Sequence, residues 1–227
     1  MRRLFKLMIF LVSATLFFAI VGATGVVVGL WHYGRDLPDY KQLANYEPPT
    51  VARIHAGDGL LIAEYAKERR VFVPIEAMPR PLIEAFIAAE DKNFYHHPGV
   101  DFLALARAMV TNISNLGRNR RPVGASTITQ QVAKNFLLTN EVSIERKIKE
   151  AILAFRIERA FPKDRILELY LNEIYLGYGS YGCAAAALNY FDKSLDELTV
   201  AEVAYLAALP KAPNNYHPVR KRRAAVA

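Results

Sequence analysis

Cysteine is almost missing from this chain: a single residue, Cys183, stands among 227. One thiol cannot close an intramolecular disulfide or supply a cysteine-based zinc site. Its setting, "SYGCAAAALNY", is small and apolar, which reads as a packed thiol rather than a reactive one. Acidic residues are in deficit, 22 Asp and Glu against 29 Lys and Arg, for a net charge of +7. Such an excess raises nucleic acid, an anionic membrane surface or a phosphorylated substrate as partners. Its distribution argues against nucleic acid. The basic residues flank an N-terminal apolar run (Arg2, Arg3, Lys6) or form two short clusters, "RNRR" at 118–121 and "RKRR" at 220–223. Neither cluster is interleaved with stacking aromatics, and no helix-turn-helix or zinc pattern accompanies them. Repeats and low-complexity tracts are absent. With 52% hydrophobic and 22% charged residues, the chain is neither disordered nor fibrous.

Charge is absent altogether from Leu7 to His32. A bilayer core needs about 20 apolar helical residues, so this run is long enough to span one. A cleaved signal peptide would have a shorter apolar region, whereas here the run continues past the small residues "ATG" to Trp31. The expectation is a retained anchor over residues 1–33. Three basic residues precede it, and Arg35, Asp36 and Asp39 follow. The positive-inside bias keeps the N-terminus in the cytoplasm and sends the body across, with Trp31 and Tyr33 at the far interface.

Residues 34–50 read as a proline-punctuated linker, and 51–75 as a β-rich lead with a hairpin signal at Gly57-Asp58-Gly59. From Pro79 the pattern turns helical. In "PRPLIEAFIAAEDKNFYHHPGVD", Ile83, Ile87, Glu90 and Phe94 fall on one stripe. A carboxylate on an apolar stripe is costly unless paired or useful, and desolvation would raise its pKa toward that of a general base. The bland alternative is a glutamate at the core rim, satisfied by water. Asp91, His97 and Asp101 could support Glu90 or merely bond the helix end; His96-His97 is a weak metal signal.

A second helix follows in "GASTITQQVAKN", Gly124 to Asn135, with Ser126 as expected cap. Thr127, Gln131, Lys134 and Asn135 share one face, and Ile128, Val132 and Phe136 form an apolar one. Free N–H groups at a helix start, with a lysine two turns on, can hold phosphate and sugar hydroxyls. The amides of Gln131 and Asn135 both donate and accept, as carbohydrate recognition requires. A merely solvated face would carry more charge than one residue in this dodecamer. The third helix, "SIERKIKEAILAFRIERAF", should be capped by Ser143 and packed on both sides. That would shield Arg146 and Glu150, otherwise a surface ion pair worth a few tenths of a kcal/mol. "KDRILELYLNEIYLGYGSYG" reads as an amphipathic helix ending in a Gly/Tyr turn. In "LTVAEVAYLAALPKAP", Thr199 and Glu202 form a capping box, with Leu198 and Val203 as a hydrophobic staple.

Five blocks in order, "EDKNFYHHPGVD", "GASTITQQVAKN", "RKIKE", "ILELYLNEIYLGYGSYG" and "AEVAYLAALPKAP", resemble the peptidoglycan glycosyltransferases of glycosyltransferase family 51, the N-terminal module of bacterial class A penicillin-binding proteins. The resemblance covers roughly residues 50–220. It implies a mainly α, lysozyme-like domain over 51–220 with a smaller membrane-facing lobe, for which 102–122 is suited. It implies a single-pass protein of the bacterial cytoplasmic (inner) membrane, catalytic on the periplasmic, extracytoplasmic side. Residues 221–227 would begin a linker to a transpeptidase domain, whose Ser-x-x-Lys, Ser-x-Asn and Lys-Thr-Gly motifs are not in the chain. By this resemblance the substrate is lipid II and the growing lipid-linked glycan, joined by β-1,4 bonds with inversion and release of undecaprenyl pyrophosphate. Glu90 and Glu150 are the implied catalytic pair. Asp91, Phe94, His97, Ser126, Thr127, Gln131, Lys134, Asn135 and Arg146 are the implied substrate-binding set. No cofactor is certain and no metal ligands can be read from spacing, although a divalent cation (Mg or Mn) could share the leaving-group role. Other cell-wall synthesis proteins are the remaining expected partners. A lytic murein-cleaving enzyme and a non-catalytic cell-wall scaffold are the alternatives.

Overall fold

The computed structural model describes residues 2–44, 46, 52–57, 61–65, 69–117, 122–139, 141, 143–211 and 213. The basic clusters at 118–121 and 220–223, the 221–227 segment and the turn residues Asp58 and Gly59 lie outside the described residues. The chain is mainly α. Helix α1 spans Arg2–Gly34, and its Met8–Gly34 stretch is, by length and composition, long and apolar enough to cross a membrane. Two strands, β1 (Ala52–His55) and β2 (Leu61–Tyr65), pair antiparallel with Ala52 opposite Tyr65 and an irregularity between Ile54 and His55. A short β3 (Arg69–Arg70) leads into α2 (Arg80–Glu90), α3 (Phe102–Ser114), α4 (Ile128–Leu137), α5 (Ile144–Ala160) and α6 (Lys163–Glu173). Then come β4 (Tyr175–Gly177), β5 (Ser180–Tyr181), α7 (Cys183–Phe191) and α8 (Val200–Ala208). The second sheet runs β3-β5-β4, with β3 parallel and β4 antiparallel to β5.

Helix α6 is the axis of the core. The expectation of an amphipathic helix is corrected here, because Ile166 through Asn172 are all buried. Its polar members serve as connectors. Asn172 takes the Val73 N–H (2.8 Å) and donates to the Val73 carbonyl (2.9 Å), and Glu168 takes the Ile75 N–H (2.9 Å). Backbone entering the domain is thus satisfied by side chains of the central helix, which is what permits their burial. The Gly/Tyr turn after α6 is the β4–β5 hairpin. Cys183 is buried at the start of α7, and burial pushes its thiol far up, so it is a packed thiol.

Within the 34–50 segment, the described residues 34–44 and 46 make contacts with the body. Asp39 caps a 3-10 turn over Tyr40–Leu43, and Leu43 is fully in the core. Arg165 donates to the Leu43 carbonyl (3.2 Å), Arg156 to that of Gly34 (3.0 Å), and the Tyr46 hydroxyl to Glu173 (2.7 Å). Tyr46 also stands edge-on to Phe136 at 4.7 Å. The prolines signal non-helical backbone, but Leu43 and Tyr46 make it a strap that ties α1 to the body. At the other end of the domain, the Thr199–Glu202 capping box is present, with Val203 in the core cluster and Leu198 packed against it.

Candidate active site

Helix α2 buries Leu82 and Phe86 and stops at Glu90. The expected Ile83–Ile87–Glu90–Phe94 stripe is therefore not one helical face. Phe94 belongs to the following turn, Phe94–His96, and is fully buried. Ending the helix at Glu90 leaves that carboxylate at the mouth of a cleft, while Asp91 turns inward. Asp91 accepts from the Ile128 N–H at 3.0 Å, the first residue of α4, and from His97 Nε2 at 2.9 and 3.1 Å. A carboxylate at a helix start is favoured by the free N–H groups there. The Gly99 N–H donates to His97 Nδ1 (3.1 Å), so the ring proton sits on Nε2, facing Asp91. The Thr127 hydroxyl donates to the Gly99 carbonyl at 2.6 Å. Gly99 is required at this crossing: its φ is +104°, and a Cβ would lie 2.8 Å from the Ala154 carbonyl. Asp101 caps α3 through the Ala104 N–H (2.8 Å), and that bond, with another from Asn93, holds its carboxyl below the usual range.

Helix α4 is capped by Thr127 rather than Ser126, in a full capping box with Gln130. The threonine wins because its hydroxyl both takes the Gln130 N–H and reaches Gly99. Ser126 is left at the cleft, where its hydroxyl takes Lys147 Nζ at 2.9 Å.

The cleft has two chambers that share Glu90, Gly124 and Ser126. The larger, about 710 Å³, is lined by Glu90, Ser126, Gln130, Gln131, Lys134, Lys147, Glu150 and Lys211. The smaller, about 300 Å³, runs toward α3 and includes Asp91, Asp101, Arg107 and Thr127. Gln131 Nε2 donates to Glu90 Oε2 at 2.8 Å. Burial raises the Glu90 pKa above its ordinary value, and Asp91 adds to the rise; the Gln131 bond, then Lys211 and Lys134, oppose it. Across the chamber Glu150 is only 1% exposed. It is ion-paired to Arg146, and to Lys147 Nζ at 2.6 Å. Burial lowers the Lys134 pKa, while Glu150 pulls it back up.

Helix α5 therefore works as expected: Ser143 caps it and the Arg146–Glu150 pair is shielded. Arg146 itself stands behind Glu150 and faces a separate hollow beside Asp36 and Glu145. Of the proposed site residues, Glu90, Ser126, Gln131, Lys134 and Glu150 converge on the large chamber. Phe94, His97, Asn135 and Arg146 line neither chamber. Phe94 and His97 are buried supports, Asn135 is exposed, and Asp91 and Thr127 have their oxygens engaged within the protein. Lys147, Gln130 and Lys211 were not foreseen. Lys147 follows Arg146 in "RKIKE", and the rotation of α5 decides which of the two faces the cleft. Lys211, in the 3-10 turn Leu209–Lys211 after α8, is brought to Glu90 by packing alone, and no spacing signals it.

Residues 58–227 match the protein family described as transglycosylase. The chain is 60% identical over 217 residues to penicillin-binding protein 1A of Rickettsia conorii, covering 96% of this chain and 28% of that protein. It is 47% identical over 207 residues to penicillin-binding protein 1A of Aquifex aeolicus, covering 88% and 28% respectively. A crystal structure of penicillin-binding protein 1A from Haemophilus influenzae aligns with a TM-score of 0.40 at 30% identity, over 79% of this chain and 17% of that one. The chain thus spans under a third of the length of these relatives.

Proposed function

The chain belongs to the transglycosylase family, and on that premise we propose that it polymerises lipid II, extending a glycan held on undecaprenyl pyrophosphate. One observation carries the reading: a desolvated carboxylate, Glu90, faces two lysines, Lys134 and Lys147, beside the buried Glu150 across a single chamber. Glu90 takes the proton from the acceptor's 4-hydroxyl. That oxygen attacks the anomeric carbon of the donor sugar, the bond from that carbon to the pyrophosphate breaks, and a β-1,4 link forms with inversion. The leaving pyrophosphate gains charge as the bond breaks, so fixed cations aimed at it lower the barrier. Lys134 and Lys147 take that task. Arg146 acts through Glu150, whose buried carboxylate holds Lys147 in place. Gln131 and Ser126 position sugar and phosphate oxygens.

A divalent cation fits this chamber poorly. The Glu150 oxygens are occupied by Arg146 and Lys147, and no three His, Cys, Asp or Glu side chains converge among the described residues. No step is assigned to one.

Helix α1 serves as the anchor, with the N-terminus cytoplasmic, and α3 rests on the same membrane. Phe102, Leu103, Val110, Ile113 and Leu116 are each more than 60% exposed, an apolar face suited to lipid. Trp31 is the only tryptophan. A Leu103→Trp variant in a Trp31→Phe background should lose fluorescence in vesicles of brominated-chain lipids, and unchanged emission would place α3 in water.

The functional test is incubation of the detergent-solubilised chain with labelled lipid II. Glycan polymer is the expected product. Shortening of preformed glycan would instead indicate a lytic enzyme, and no change in either substrate a scaffold.

A further inference from the structure

Among the described residues, two buried side-chain polar atoms lack a hydrogen-bond partner: Arg146 Nε and the Tyr170 hydroxyl. The tyrosine calls for explanation, because phenylalanine would fill the same core space on α6 without leaving a polar group unsatisfied. Its ring is 1% exposed and stands edge-on to Phe86 at 6.3 Å. Phe86 lies one helical turn before Glu90 on α2, so Tyr170 sits beneath the turn that carries Glu90. After burial, the nearby charges of Glu90, then Cys183 and Asp91, hold the phenol's proton on. It is therefore a donor at any working pH.

Of those two carboxylates Glu90 is the less engaged within the protein. Asp91 is bonded by His97 and the Ile128 N–H. Glu90 receives Gln131 on Oε2, and its Oε1 has no partner among the described residues. We propose that Tyr170 is a positioning residue for Glu90: its hydroxyl is a second donor to that carboxylate whenever the side chain turns inward from the cleft, with or without substrate, and it keeps that bond when Gln131 turns to the sugar. The inference rests on Glu90 being the base. Its consequence is that the base keeps a donor, and hence its aim, while its first partner is occupied by substrate.

Donation to the ionised form favours it, opposing the desolvation that raises the Glu90 pKa. Removing the donor must raise that pKa further. The test is a carboxyl-carbon NMR titration of the full chain in detergent, labelled at glutamate, with the Glu90 signal assigned through Glu90→Gln. Tyr170→Phe should move the Glu90 midpoint upward by about one pH unit, with thermal stability unchanged or higher. An unmoved or lowered midpoint overturns the proposal. A second measurement needs no tyrosine variant. In the wild type, the labelled phenolic carbon of Tyr170 should step at the Glu90 midpoint, and the step should vanish in Glu90→Gln; no step overturns the proposal equally. Neither titration uses substrate, so a failure here is separable from absence of polymer, which would sink the polymerase reading alone.

Discussion

Glu90→Gln should abolish glycan polymerisation while lipid II binding and the fold survive. Glutamine matches glutamate in size and can still meet the Gln131 amide, but it cannot accept the proton of the attacking hydroxyl. A positioned general base contributes about 100- to 10,000-fold, so the rate should fall by that much. Wild-type polymerisation should fall on the acid side through a pKa above the ordinary glutamate value of 4.5, because burial disfavours the ionised form. The same shift predicts a stability signature. Both folded and unfolded chains are protonated well below pH 4.5. As pH rises, the unfolded chain releases its proton first, so the folded state loses stability until its own carboxyl ionises. Glu90→Gln should thus melt higher than wild type at neutral pH, and the gap should close toward acid. Equal polymer from variant and wild type would remove Glu90 from the role of base. An inactive variant that melts lower would point to a structural defect instead.

Glu150→Gln should be the next most damaging change, lowering the polymerisation rate about 100-fold. The carboxylate is buried and serves both Arg146 and Lys147. Removing one partner from a buried ion pair costs about 3–5 kcal/mol, because the remaining charge is left uncompensated. A double variant separates activity lost through stability from activity lost at the chemical step. Glu150→Gln with Arg146→Met removes both buried charges and should recover most of the thermal stability. It should recover none of the rate, since Lys147 is still unpinned at the cleft. Recovery of both would make Glu150 a structural residue.

The long apolar N-terminal helix, the β-rich lead, the helix starts at Ser143 and Thr199 and the shielding of Arg146–Glu150 were legible in the sequence, because each is a local or periodic signal. A 26-residue uncharged run has few other readings (Leu7 to His32). A Thr-x-x-Glu box satisfies its own backbone groups within four residues. Individual glutamates could be singled out too, since a carboxylate on an apolar pattern is conspicuous. Tertiary structure decided what those residues meet. The stop of α2 at Glu90, rather than beyond Phe94, turns Asp91 to the α4 N-terminus and Glu90 to the cleft. The rotation of α5 presents Lys147 in place of Arg146, although the two are adjacent. Lys211 reaches the cleft beside Glu90 only because α8 packs against α2, and Tyr170 comes to lie against Phe86 only through the packing of α6. Leu43 and Tyr46 turn a proline-marked segment into a strap through partners more than 90 residues away, Arg165 and Glu173 among them. Sequence spacing records which faces are apolar and which ends are capped. It does not record distances between segments far apart in the chain, and a site whose acid, amide and cations come from α2, α4, α5 and the turn after α8 is made of such distances.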